Sequence, residues 1–231
     1  MNGGGSLSVT KEYMSLILSQ YKKKMSSPFI VEVLGTPNSG KTTAIQTFEK
    51  ILKRNGIKHK IIYEAASRCK IKNKLSPEFN LWTLNETIKQ LLEAYSGNHD
   101  IVICERGLLD AICWCELYYQ DNKLTDHDAQ KIREYILMNR FTSRISCCYI
   151  MKCSVQSSIR RENLSGLLDV TGTIVNDVVL SKYNAALAMC KDNYGSNFGS
   201  IMELDTSEIS QTDINRIFIS SILGMVENQI L

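Results

Sequence analysis

"PFIVEVLGTPNSGKTT", residues 28–43, decides the fold. Its first part, 28–34, is short and apolar and reads as a strand. The second part fits G-x-x-x-x-G-K-S/T at every fixed position: Gly35, Gly40, Lys41 and Thr42. Residues 41–54 then read as a helix, with Asn55-Gly56 as its stop. In a strand–loop–helix of this kind, backbone amides point inward and surround phosphate oxygens, aided by the helix N-terminus. The pattern assigns Gly35, Thr36, Pro37, Asn38, Ser39, Gly40, Lys41, Thr42 and Thr43 to nucleotide binding. Lys41 is placed to reach the β- and γ-phosphates and the Thr42 hydroxyl to ligate Mg²⁺. The expected ligand is a nucleoside triphosphate, ATP, with magnesium.

Working outward, "DIVICERGLLDAICW", residues 100–114, sets Glu105 and Arg106 directly after four apolar residues, 101–104. The apolar run reads as a strand buried on both faces, so the charged pair falls at its carboxyl end. Ligands of open parallel sheets bind beyond such ends. If this third strand lies beside the first, Glu105 comes close to the magnesium and Arg106 close to the transferring phosphate.

The rest of the chain alternates strands with helices. A helix at 10–24 ends in Lys22, Lys23 and Lys24; a strand and its exit fall at 58–66, and strands at 146–153 and 200–205. Helices are expected at 79–96, 107–119, 126–142, 154–163, 174–192 and 211–229, with a basic loop at 67–78. This order predicts right-handed crossovers and a three-layer α/β/α fold around a five-stranded parallel sheet. The domain division is an N-terminal tail and helix, 1–27, followed by one phosphate-loop domain, 28–231.

Composition bounds the function classes. With 231 residues and a net charge of +3, the chain is not built as a dedicated nucleic-acid binder. Its eight cysteines include no C-x-x-C pair and no Cys/His spacing suited to zinc. No apolar run is long enough for a membrane span, and the N-terminal stretch has no signal-peptide pattern. A reduced, cytoplasmic protein without a membrane partner is the expectation.

Other residues carry candidate roles with open alternatives. The basic loop "SRCKIKNK" follows the second strand and could attract an anionic acceptor or lie as solvated surface; Arg68 is nearest the strand end. Trp82 and Trp114 could stack on a base, although Trp82 shares a helix with a leucine stripe suited to the core. Asp110 could anchor Arg106 or a substrate hydroxyl, or serve the helix dipole.

These motifs resemble those of the P-loop kinases of nucleosides and nucleotides, especially deoxynucleoside and thymidylate kinases. Glu105-Arg106-Gly107 is similar to the family's acidic-Arg-Gly/Ser/Tyr motif at the end of the third strand. The resemblance implies a catalytic base at Glu64 in "IIYEAASR" and an arginine lid at about 154–173, carrying Arg160 and Arg161. It also implies that "MELDTSE", 202–208, lies against the adenine. The expected activity is magnesium-dependent transfer of the ATP γ-phosphoryl group to a nucleoside, nucleotide or similar acceptor. A hydrolysing ATPase and a nucleotide-dependent switch contacting a partner or nucleic acid are the alternatives. Homodimers are common among such kinases, and helices 79–96 and 107–119 could form the interface.

Overall fold

A computed structural model describes residues 11–164 and 175–231 of the chain. In chain order the elements are α1 (Lys11–Met25), β1 (Phe29–Gly35), α2 (Lys41–Arg54), β2 (His59–Ile62), a 3-10 turn (Ala65–Arg68) and α3 (Pro77–Ser96). Next come β3 (Ile101–Glu105), α4 (Leu108–Gln120), α5 (Asp126–Ile136), α6 (Asn139–Thr142), β4 (Cys147–Lys152) and α7 (Val155–Leu164). The last are α8 (Asp177–Tyr194), a 3-10 turn (Gly195–Asn197), β5 (Ser200–Asp205) and α9 (Gln211–Ile230). The strands form one parallel sheet in the order β2-β3-β1-β4-β5. The third strand does lie beside the first, with Val33 paired to Glu105.

The alternation of side chains along β1 explains the three layers. Phe29, Val31 and Val33 point into a core with Met14 and Leu18 of α1, Phe48 of α2 and Phe218 of α9. Ile30 and Leu34 point the other way, toward Leu84 of α3, Leu109 of α4 and Leu187 of α8. Every residue of β1 is buried, as a central parallel strand requires. The first helix is not a loose appendage: Met14, Ile17, Leu18 and Tyr21 are buried in the same core as the sheet.

Two boundaries differ most from the sequence reading. The expected helix 126–142 is broken at Leu137–Met138, where Met138 turns extended (φ −53, ψ 125) and a separate short α6 follows. Helix α3 begins earlier, because Ser76 caps it and Pro77 fills its first turn. Helix α4 is covered by α3, α5 and α8, and Leu108 through Tyr118 are buried, so it cannot supply a dimer interface. Residues 165–173 of the expected lid lie outside the described residues. Among those described, no helix is long and apolar enough to cross a membrane.

Candidate active site

The phosphate loop is held from below and from one side. Gly35 has φ +125, and a Cβ there would sit 2.1 Å from the Met151 carbonyl oxygen, so the approach of β1 to β4 requires glycine. Thr36 is buried; its amide donates to Met151 O at 3.1 Å and its hydroxyl donates to Asn184 Oδ1 of α8 at 2.8 Å. The Pro37 carbonyl accepts from Ser158 Oγ at 2.9 Å. Asn38 has φ +58, and its amide group donates to Glu162 Oε2 at 2.7 Å and Ser158 O at 3.2 Å. The crest of the loop is therefore stitched to α7. Thr43 is exposed beside it.

Lys41 is buried and folds back under the loop. Its ammonium donates to Gly35 O at 3.0 Å, Thr36 O at 2.7 Å and Ser39 Oγ at 3.3 Å. Burial, then the charge of Arg106, lower its pKa to about 8, against the pull of Glu105, Asp110 and Glu64. Beside it, the Thr42 hydroxyl donates to Glu105 Oε1 in a short hydrogen bond. Glu105 is only 4% exposed. The two residues assigned to the metal thus meet at the mouth of the loop.

Glu105-Arg106-Gly107 is a strained turn held by a residue that sequence reasoning missed. Arg106 adopts φ +57, unusual for a long side chain, while its amide still bonds Val33 O at 2.9 Å. Glu32, in the middle of β1, is fully buried and accepts from the amides of Gly107, Leu108, Leu109 and Asp110 at 2.9–3.1 Å. It therefore satisfies the orphan donors at the N-terminus of α4. Burial pushes its carboxyl up to about 7, while the amides of Asp110, Leu109 and Leu108 pull it down. A Cβ at position 107 would lie 2.6 Å from the Glu32 carboxyl carbon, which explains the glycine. The available signal was a charged residue inside an otherwise apolar strand.

Arg106 is fixed by three partners. Its Nε lies 3.2 Å from Glu64 Oε2, and Nη1 donates to Asp110 Oδ1 at 3.0 Å. Its guanidinium carbon lies 6.0 Å from the centre of the Tyr183 ring. Burial works against the charged guanidinium, but Asp110 and Glu64 outweigh it and hold its pKa well above the usual value. Tyr183 in turn donates to Asp110 Oδ1 at 2.5 Å. Asp110 is thus the anchor of Arg106, one of the three roles open from the sequence.

Two pockets are linked through this turn, since Thr42 of one bonds Glu105 and Arg106 lines the other. One is lined by Asn38, Gly40, Lys41, Thr42, Thr43 and Arg161, with Ile209, Gln211 and Ile214 from the segment after β5. The other encloses about 520 Å³ counting its mouth, and its wall includes Glu64, Lys74, Asn80, Arg106, Asp110 and Trp114. Arg161 is tied to Asn38 O at 3.0 Å and to Thr206 of the β5–α9 segment. Arg160 instead lines a cleft between α7 and α8 with Asp177 and Ser181. Trp82 and Arg68 do not line the second pocket; Trp114 does, tilted against Tyr183 with ring centroids 5.0 Å apart. Arg68, Lys70, Lys72 and Lys74 are exposed, and none forms an ion pair among the described residues. Cys113 faces Cys190 whereas Cys115 bonds Ala129 O at 3.8 Å, so both serve packing. No group of three or more His, Cys, Asp or Glu placed to hold a metal occurs among the described residues.

The oxygen donors of Thr42 and Glu105 fit a hard divalent ion that completes its shell with water and phosphate oxygens, as magnesium does.

Comparison with known proteins agrees with this geometry. The sequence profile of a family described as an AAA domain matches residues 30–145. No curated protein sequence matches the chain. Among solved structures, deoxyadenosine kinase from M. mycoides with bound dATP superposes with a TM-score of 0.63 at 15% identity, covering 84% of this chain and 99% of that one. The same kinase with products dCMP and a flexible dCDP gives 0.61 at 17%, covering 85% and 100%. With bound dCTP it gives 0.60 at 17%, covering 85% and 99%. The likeness covers 84–85% of this chain, so the P-loop kinase fold expected from the motifs is the fold of this chain. The chain belongs to the AAA domain family whose profile covers its phosphate loop and its Glu105-Arg106-Gly107 turn.

Proposed function

We propose that the protein is a magnesium-dependent kinase that transfers the ATP γ-phosphoryl group to a nucleoside, a nucleotide or a similar small acceptor. One observation carries this reading: a single turn links a phosphate-loop pocket to a second, partly apolar pocket. Glu105 of that turn bonds Thr42 on one side, and Arg106 lines the other. The fold shared with a deoxyadenosine kinase supports it.

Phosphoryl transfer depends on positioning and charge neutralisation. The loop amides of residues 35–43 bind the phosphates, and Lys41 leaves the Gly35 and Thr36 carbonyls to pair with them. Thr42 and Glu105 hold the magnesium ion, which supplies charge neutralisation at the phosphate oxygens when bound. Arg161, at the rim of the donor pocket, is the lid cation, whereas Arg160 faces the cleft between α7 and α8. Arg106 orients the acceptor. Glu64 accepts the proton of an acceptor hydroxyl as its oxygen bonds to the γ-phosphorus and the bond to the ADP oxygen breaks. Trp114 rather than Trp82 offers its face to a base.

Incubation with labelled ATP, magnesium and a mixed pool of nucleosides, nucleotides and DNA or RNA ends tests the proposal. Label on a small acceptor supports the kinase, and Lys41→Ala should abolish it. Release of free phosphate alone identifies a hydrolase. Tight binding without turnover identifies a switch.

A further inference from the structure

The geometry points to Glu32 as a positioning residue for the phosphotransfer site. By accepting the free amides at the start of α4, it holds Arg106 in its left-handed conformation, facing the acceptor pocket. The inference rests on the proposed reaction for its kinetic consequence, and on the turn alone for its structural one.

Four observations converge on it. Glu32 is fully buried, yet both carboxylate oxygens are used, Oε1 by Gly107 and Asp110 and Oε2 by Leu108 and Leu109. Hydrophobic burial gives a central strand no reason to keep a carboxylate, which is costly there unless fully hydrogen-bonded. The absent side chain at Gly107 leaves the space that the Glu32 carboxyl occupies. Between the two lies Arg106, whose φ of +57 persists only if the residues on both sides are pinned. Val33 O holds its amide on one side and the Glu32 clamp holds residue 107 on the other. Glu32 touches neither pocket, so it acts through Arg106.

The test compares wild type, Glu32→Gln and Glu32→Asp. Glutamine turns an NH₂ toward amide donors, and aspartate keeps the charge but loses reach. In Glu32→Gln the ATP dissociation constant should stay within about twofold, while acceptor turnover falls or acceptor KM rises about tenfold or more. Glu32→Asp should recover part of that loss. Equal loss of ATP and acceptor binding, or unchanged kinetics in a folded Glu32→Gln protein, would overturn the inference. Two readouts work without turnover. The Nε–H resonance of Arg106 should shift and broaden in Glu32→Gln, and the wild-type amides 107–110 should exchange as slowly as those of β1. Rapid exchange there overturns the inference even if the variants do not fold. If wild type transfers to no acceptor but both readouts hold, the reaction proposal fails and the clamp stands.

Discussion

Lys41 carries the clearest pH dependence of any single side chain. In the free protein burial and Arg106 bring its pKa from 10.5 to about 8. Between those values the unfolded chain binds the extra proton and the folded chain does not, so this group's contribution to stability rises with pH across that window. A triphosphate favours the charged ammonium, and binding therefore takes up a proton near pH 8. The ATP affinity should weaken as pH rises through 8, and calorimetry in buffers of different ionisation heat should register the uptake. Absence of proton uptake at pH 8 would show that the amine is already charged. Thr42 and Glu105 form the other decisive pair. Thr42→Ala and Glu105→Gln should each raise the magnesium concentration needed for half-maximal transfer while leaving metal-free nucleotide binding nearly intact, measurable by titrating the ion at saturating ATP.

Helix α7 shows what one element decides. Adjacent residues on a helix point about 100° apart, so Arg160 and Arg161 cannot both face the donor pocket. Arg161 spans from the loop crest at Asn38 to Thr206, closing the pocket edge. Arg161→Ala should weaken ATP binding or turnover by about tenfold, whereas Arg160→Ala should have the smaller effect, as judged by steady-state kinetics. Helix α3 carries a structural counterpart. Its N-cap, Ser76, accepts the Phe79 amide at 3.3 Å. Ser76→Ala should cost about 1 kcal/mol in urea unfolding, with little change in KM.

At the scale of the molecule, two apolar cores, one on each side of the sheet, hold the three layers together. Phe218 of α9 packs edge-on against Phe48 at 6.1 Å and Tyr149 at 5.0 Å, joining α2, α9 and the sheet. Phe218→Ala should destabilise the protein by about 3–5 kcal/mol, seen as a lower melting temperature. The five parallel strands and the phosphate loop were legible because they follow from local patterns: apolar runs, turn signals and fixed spacing around Gly40-Lys41-Thr42. The meeting of Glu105 with Thr42 was legible through topology, since neighbouring parallel strands bring their carboxyl ends together. What escaped depended on rotation and packing. Trp82 and Trp114 both stay candidates until the helices turn only Trp114 toward the pocket. Glu32 sits in an apolar run whose partners come from residues 107–110, far along the chain. The break at Leu137–Met138 carries neither glycine nor proline.

Tyr183 and Asn184 stand side by side on α8, one bonded to Asp110 behind Arg106 and the other to Thr36 within the phosphate loop. A single helical turn therefore braces both compartments. Loosening one must be felt in the other: whatever occupancy of the triphosphate site does to acceptor affinity, the acceptor does in equal measure to the triphosphate.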